Sequence, residues 1–182
     1  MTQNGLRAGG QVYEVDAVVF ATGFDAVTGA LNAIDIRGRE GLALKKQWET
    51  GPRTYLGIMS AGFPNLFLIT GPGSPPVLSN MIVSIEQPVE WIGDRIVSLG
   101  AHQQICIEAA RDAEDAWAAQ VNEVAYRTLC PRANPWYMGA NIPGKPRVFL
   151  PYIGGVGNYR HKCEEVVANG YEGFRLSAAA AE

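Results

Sequence analysis

The chain has 182 residues, 47% of them hydrophobic and 18% charged, with a net charge of -3. That length is enough for one ordinary domain with a sizeable core. The charge balance excludes a basic footprint for nucleic acid, and no run approaches the roughly 20 apolar residues of a membrane span. The first residues, MTQNGLRAGGQ, lack the apolar stretch of a signal peptide. Cys106, Cys130 and Cys163 are odd in number, far apart and without a CxxC pair, and His102 and His161 do not cluster with them. Reduced, mostly buried thiols in a cytoplasmic protein are expected, with no metal site.

In chain order, residues 5–10 read as the tip of a hairpin. Residues 12–20, VYEVDAVVF, read as a strand that closes at Ala21-Thr22-Gly23 before Phe24-Asp25. Residues 30–36 and 42–48 suggest short elements around a polar turn at 37–41. A short apolar stretch, 55–59, precedes the run at 66–69, which stops at Gly71-Pro72-Gly73 and predicts a buried strand.

Ser79 and Asn80 carry helix N-cap chemistry. Ile82, Ile85, Val89, Ile92, Ile96 and Leu99 recur at spacings of three and four, which predicts a helix with those residues facing the core. Pro88 should bend it, and Gly100 lies near its end. Residues 103–107 suggest a strand. A second helix is expected over 112–129, with Ala113, Trp117, Val121 and Val124 on one face and Pro131 as its stop. The segment 134–144 is a loop by its prolines and glycines. A strand over 148–153, a helix over 159–168 and a closing strand over 174–176 complete the chain. Alternating strands and helices predict an α/β fold with a mainly parallel sheet.

The strand–turn–helix at 66–99 is the stretch most suggestive of a site. A helix N-terminus with no capping group in the way can face a ligand. Equally, Gly71 and Gly73 can serve only to turn the chain, and the local pattern favours that reading. No nucleophile elbow, P-loop, paired-carboxylate motif or GxGxxG is present.

Several longer segments occur together and in order: DAVVFATGFD, GPRTYLGIMSAGFPNLFLITGPGSP, LSNMIVSIEQPVEW, WYMGANIPGKPRVF and YEGF. In this combination the chain resembles the C-terminal part of a Baeyer–Villiger monooxygenase, a two-dinucleotide-domain flavoprotein, from about residue 6 to 176. The resemblance implies an α/β, Rossmann-like C-terminal half with an incomplete sheet. Residues 1–24 would end the NADPH-binding domain and carry the ATG linker; residues 25–182 would belong to the FAD-binding domain. It also implies FAD and NADPH as cofactors, and a ketone and oxygen as substrates of an oxygen insertion giving an ester or lactone. Thr22, Gly23, Gly71, Pro72, Leu78, Asn80 and Met81 would lie on the FAD side, and Trp136 would cover the NADPH. No catalytic residue or metal ligand is carried over. The family's GxGxxG motifs, its FxGxxxHTxxW fingerprint and its active-site arginine have no counterpart here. The chain alone is therefore expected to bind FAD weakly and to be inactive, with the missing N-terminal part as its partner. A fragment of a flavin-containing N- or S-monooxygenase, or a non-catalytic half-domain, is the alternative. No nucleic-acid or membrane partner is expected.

Overall fold

The computed structural model describes every residue except 1, 21, 22, 26, 134 and 179–182. A hairpin of β1 (Gly5–Ala8) and β2 (Gln11–Glu14) opens the chain. Short helices α1 (Gly29–Ala33) and α2 (Leu44–Gln47) follow. Next come the long helix α3 (Met81–Ala101), β3 (Gln104–Ala109), α4 (Arg111–Tyr126), α5 (Val156–Ala168) and β4 (Phe174–Ala178). β3 and β4 pair antiparallel, with a register irregularity between Gln104 and Cys106.

The main core lies between α3, α4, α5 and the β3–β4 pair. Leu56, Ile58 and Met59, in a tight turn closed by the Tyr55–Met59 bridge, are driven into it beside Ile107, Trp117, Val121, Tyr159 and Val166. Aromatic contacts run through this region: Trp91 meets Tyr171 edge-on at 5.6 Å, and Trp117 stacks on Tyr152 at 5.1 Å. Leu44, Trp48, Phe63 and Leu68 form a second, smaller cluster. The buried Glu114 carboxylate binds the 60–61 backbone turn to α4. It accepts hydrogen bonds from Ser60 Oγ and the Ala61 N–H, both at 2.9 Å, and from Arg111 Nη1 at 2.7 Å. Burial raises the carboxyl pKa, opposed by those donors.

The helices and the β3–β4 strands stand where periodicity predicts them, and Asn80 caps α3, accepting from the Ile82 N–H at 3.0 Å. α3 also runs unbroken through the buried Pro88. Three expectations change. First, α3 buries Ser84, Gln87, Pro88, Trp91, Arg95 and Leu99, whereas Ile82, Ile85, Val89 and Ile96 are exposed. Of the apolar ridge expected to face the core, Leu99 is buried and Ile92 packs against the core, while the other four positions point away from it. Second, residues 66–69 and 148–153 hold buried side chains but are not strands. A strand needs a neighbour along its length; in 66–69 only the Leu68 N–H meets a distant partner, Ile58 O at 2.7 Å. After β2 the Val15 N–H still reaches Asn4 O at 3.3 Å, but residues 16–20 are not a strand. Third, both sheets of the described residues are two-stranded and antiparallel, so the sheet is incomplete and the expected parallel pairing is not formed within it. His161 and Cys163 do lie on different faces of α5. His161 reaches Glu165 in solvent, while Cys163 is buried.

Candidate functional site

Between the turn that leads into α3 and the loop after α4 lies a pocket of about 220 Å³. Thr70, Gly71 and Ser74 form one side, Met81 the mouth of α3, and Trp136, Tyr137 and Leu150 the opposite side. The two sides are stitched by backbone hydrogen bonds. The Gly73 N–H donates to Leu150 O at 2.6 Å, the Tyr152 N–H to Ser74 O at 2.8 Å, and the Leu150 N–H to Tyr137 O at 2.9 Å. This ladder fixes the 136–137 loop relative to the glycine turn. Trp136 and Tyr137 face each other with centroids 4.4 Å apart, and Trp136 remains 42% exposed. Burial raises the Tyr137 hydroxyl pKa, so it is neutral at ordinary pH.

Two lining residues, Val27 and Thr70, have positive φ, 70° and 56°. For β-branched residues that backbone is a genuine outlier, and such strain gathers where the surrounding structure holds a functional surface in shape.

Of the sequence-identified site residues, Gly71, Met81 and Trp136 meet at this pocket. The others do not. Pro72 is buried below it, and its carbonyl accepts a hydrogen bond from Thr54 Oγ1. Leu78 is 71% exposed and borders a separate cleft. Asn80 is spent on capping α3, so the helix N-terminus is not the uncapped ligand-facing end that the sequence left open. Gly23, at φ 70°, sits in a left-handed turn and does not line this pocket. Thr22 lies outside the described residues.

The glycines of the turn are demanded by the protein itself. A Cβ on Gly71 would lie 2.6 Å from Gly57 O, and one on Gly73 would lie 2.8 Å from Trp117 Nε1. Sequence reasoning missed Val27, Tyr137 and Leu150. Tyr137 is adjacent to Trp136 and was the one with a signal. A larger cavity of about 540 Å³, bordered by Trp48, Lys45, Pro143 and Lys145, contains none of the sequence-identified residues.

No family model matches the chain. It is 45% identical over 177 residues to the acetone monooxygenase (methyl acetate-forming) of Gordonia sp. (strain TY-5), covering 96% of this chain and 33% of that protein. It is 44% identical over 177 residues to the phenazine N-monooxygenase of Lysobacter antibioticus, covering 97% and 32%. The fold superposes on cyclohexanone monooxygenase from Rhodococcus sp. Phi1 bound to NADP+ with a TM-score of 0.89 at 44% identity, covering 93% and 32%. The chain therefore spans about a third of the length of the relatives it matches. By sequence and by fold, it belongs to the Baeyer–Villiger monooxygenases and corresponds to their C-terminal part.

Proposed function

We propose that this chain is the C-terminal portion of an FAD- and NADPH-dependent Baeyer–Villiger monooxygenase that inserts oxygen beside a ketone carbonyl, giving an ester or lactone. In this reading residues 1–24 end the nicotinamide domain and residues 25–182 finish the flavin domain. The observation that carries it is the pocket where Gly71, Met81 and Trp136 converge from segments 55 residues or more apart in sequence. At about 220 Å³ it falls below the usual ~300–1,000 Å³ of a complete small-molecule site. It fits one wall of a planar ring and not a dinucleotide. Gly71 and Met81 would flank the flavin, which when bound supplies the oxygen activation, and Trp136 would cover the nicotinamide. The chain's own contribution is to position those walls and to shield them from water.

The missing N-terminal part is the proposed partner. What supports it is the apolar ridge of α3, where Ile82, Ile85, Val89 and Ile96 stand exposed beside a well-packed opposite face. Exposed ridges of this kind mark interaction surfaces. Among the described residues no helix is long and apolar enough to cross a membrane. Cys106, Cys130 and Cys163 are all free, which suits the reducing cytoplasm proposed for the protein.

The test is a chimera in which this chain replaces the matching third of the Gordonia acetone monooxygenase. It should carry FAD, oxidise NADPH in a ketone-dependent way and yield an ester. The chain alone should elute colourless. A flavin-loaded chimera that turns over NADPH but forms no ester from any ketone tested would refute the ketone reading. Formation of an N-oxide instead would favour the second reading, which rests on the 44% identity to the phenazine N-monooxygenase. Stoichiometric flavin on the isolated chain would overturn the expectation that it is inactive because the grip on FAD is missing.

A further inference from the structure

The motif WYMGANIPGKP contains a lysine to which neither the pocket nor its proposed chemistry assigns a role. In the fold that lysine, Lys145, is not a surface charge. Its side chain is 11% exposed, and Nζ donates to Asp25 Oδ1 and, at 2.8 Å, to Thr28 Oγ1. Thr28 is itself buried, and Asp25 O accepts the Gly29 N–H that starts α1, at 2.9 Å. A second bond runs parallel to the first, from Asn141 Nδ2 to Phe24 O at 3.0 Å.

Each partner of the Lys145–Asp25 pair is closely fitted by a glycine. A Cβ on Gly139, at φ 69°, would lie 2.9 Å from Lys145 Cδ, and one on Gly29 would lie 2.7 Å from Asp25 Cβ. Larger residues at either position would push the pair apart. The contact joins segments about 120 residues apart in sequence: the stretch after Gly23, and the loop whose start carries Trp136.

We infer that Lys145 is a positioning residue, which pins the Trp136 loop to residues 24–28 and so couples the lie of the linker to the lid. A half-buried ammonium between a carboxylate and a hydroxyl holds well only while both partners stay in place, because losing either leaves a desolvated charge unpaired. The assignment of Trp136 as a lid rests on the function proposed above; the clamp itself does not.

The test uses the full 182-residue chain. Chymotrypsin cuts after Trp136 and Tyr137 when the loop opens, and the rate follows the open population while reclosing outpaces cleavage. Lys145→Met and the near-isosteric Asp25→Asn should each raise that rate by about tenfold or more, a change equivalent to about 1.4 kcal/mol. The double variant should be no faster than either single one. Acrylamide quenching, which reaches Trp136 while Trp48, Trp91 and Trp117 are buried, should rise in the same variants. Unchanged cleavage, additive effects in the double variant, or equal acceleration at Tyr171 beyond α5 would each overturn the clamp. A normal NADPH Michaelis constant for Trp136→Ala in the completed enzyme would remove the lid role and leave these results standing.

Discussion

The two faces of α3 make opposite predictions for substitutions a few turns apart. Leu99 is 8% exposed and packs in the main core, whereas Ile82 is 68% exposed. Truncating a buried Leu to Ala costs about 2–5 kcal/mol, from lost transfer energy plus the cavity left behind. Full burial of an Ile side chain is worth about 1.5–3 kcal/mol, and Ile82 has only roughly a third of that to lose. Alanine also returns a few tenths of a kcal/mol in helix propensity. The net for Ile82→Ala in this chain is therefore below about 0.5 kcal/mol. Urea unfolding followed by circular dichroism, with a slope of about 2 kcal/mol/M, converts these to midpoint shifts. Leu99→Ala should lose about 1–2.5 M, and Ile82→Ala less than about 0.3 M. Comparable losses at both positions would mean that the Ile82 ridge is covered in the isolated chain, and the argument for a missing partner there would fail. In the chimera, with the proposed partner restored, Ile82→Ala should become costly.

Further outcomes follow from the same structure. Burial pushes the Cys163 thiol up from its ordinary value to about 11, so between about pH 9 and 11 the unfolded chain releases a proton that the folded chain keeps. Stability contributed by Cys163 is complete below that window and is lost as pH rises through it. The loss approaches about 3 kcal/mol, and Cys163→Ala should flatten this part of the pH–stability curve. Glu114→Ala removes the acceptor for Ser60, Ala61 and Arg111. Arg111 is half-exposed and Ser60 Oγ keeps Arg53 O as an acceptor, so the donor left buried and unpaired is the Ala61 N–H. A loss of about 1–3 kcal/mol is expected in the same urea assay, and a neutral result would show that the 60–61 turn is held otherwise. In the chimera, Trp136→Ala should raise the NADPH Michaelis constant and leak peroxide while flavin content stays normal. Loss of flavin with an unchanged Michaelis constant would assign Trp136 to the flavin side.

What the chain determines locally was legible in its sequence. Periodicity locates α3, α4 and α5, and the Asn80 cap starts α3, because i, i+3, i+4 spacing and caps act within a few residues of themselves; α4 ends at Tyr126, three residues before the end expected from Pro131. The long motifs identify the family for the same reason: they are contiguous. What needed the tertiary structure is whatever depends on a second segment. The apolar ridge of α3 reads as core-facing, yet which face is inside depends on what packs against the helix: Leu99 is buried with Ser84, Gln87, Trp91 and Arg95, while Ile82, Ile85, Val89 and Ile96 are left exposed. Residues 149–152 are buried as their composition implies, whereas in 66–69 only Leu68 is and Ile69 is exposed, and a strand exists only where another backbone lies alongside. Gly71 reads locally as a turn glycine, and only the fold shows that it lines the pocket and that its close approach to Gly57 O leaves no room for a Cβ. Lys145 carries no local sign that it reaches Asp25, since a hydrogen bond across 120 residues is set by how the chain folds back on itself and by no property of either neighbourhood.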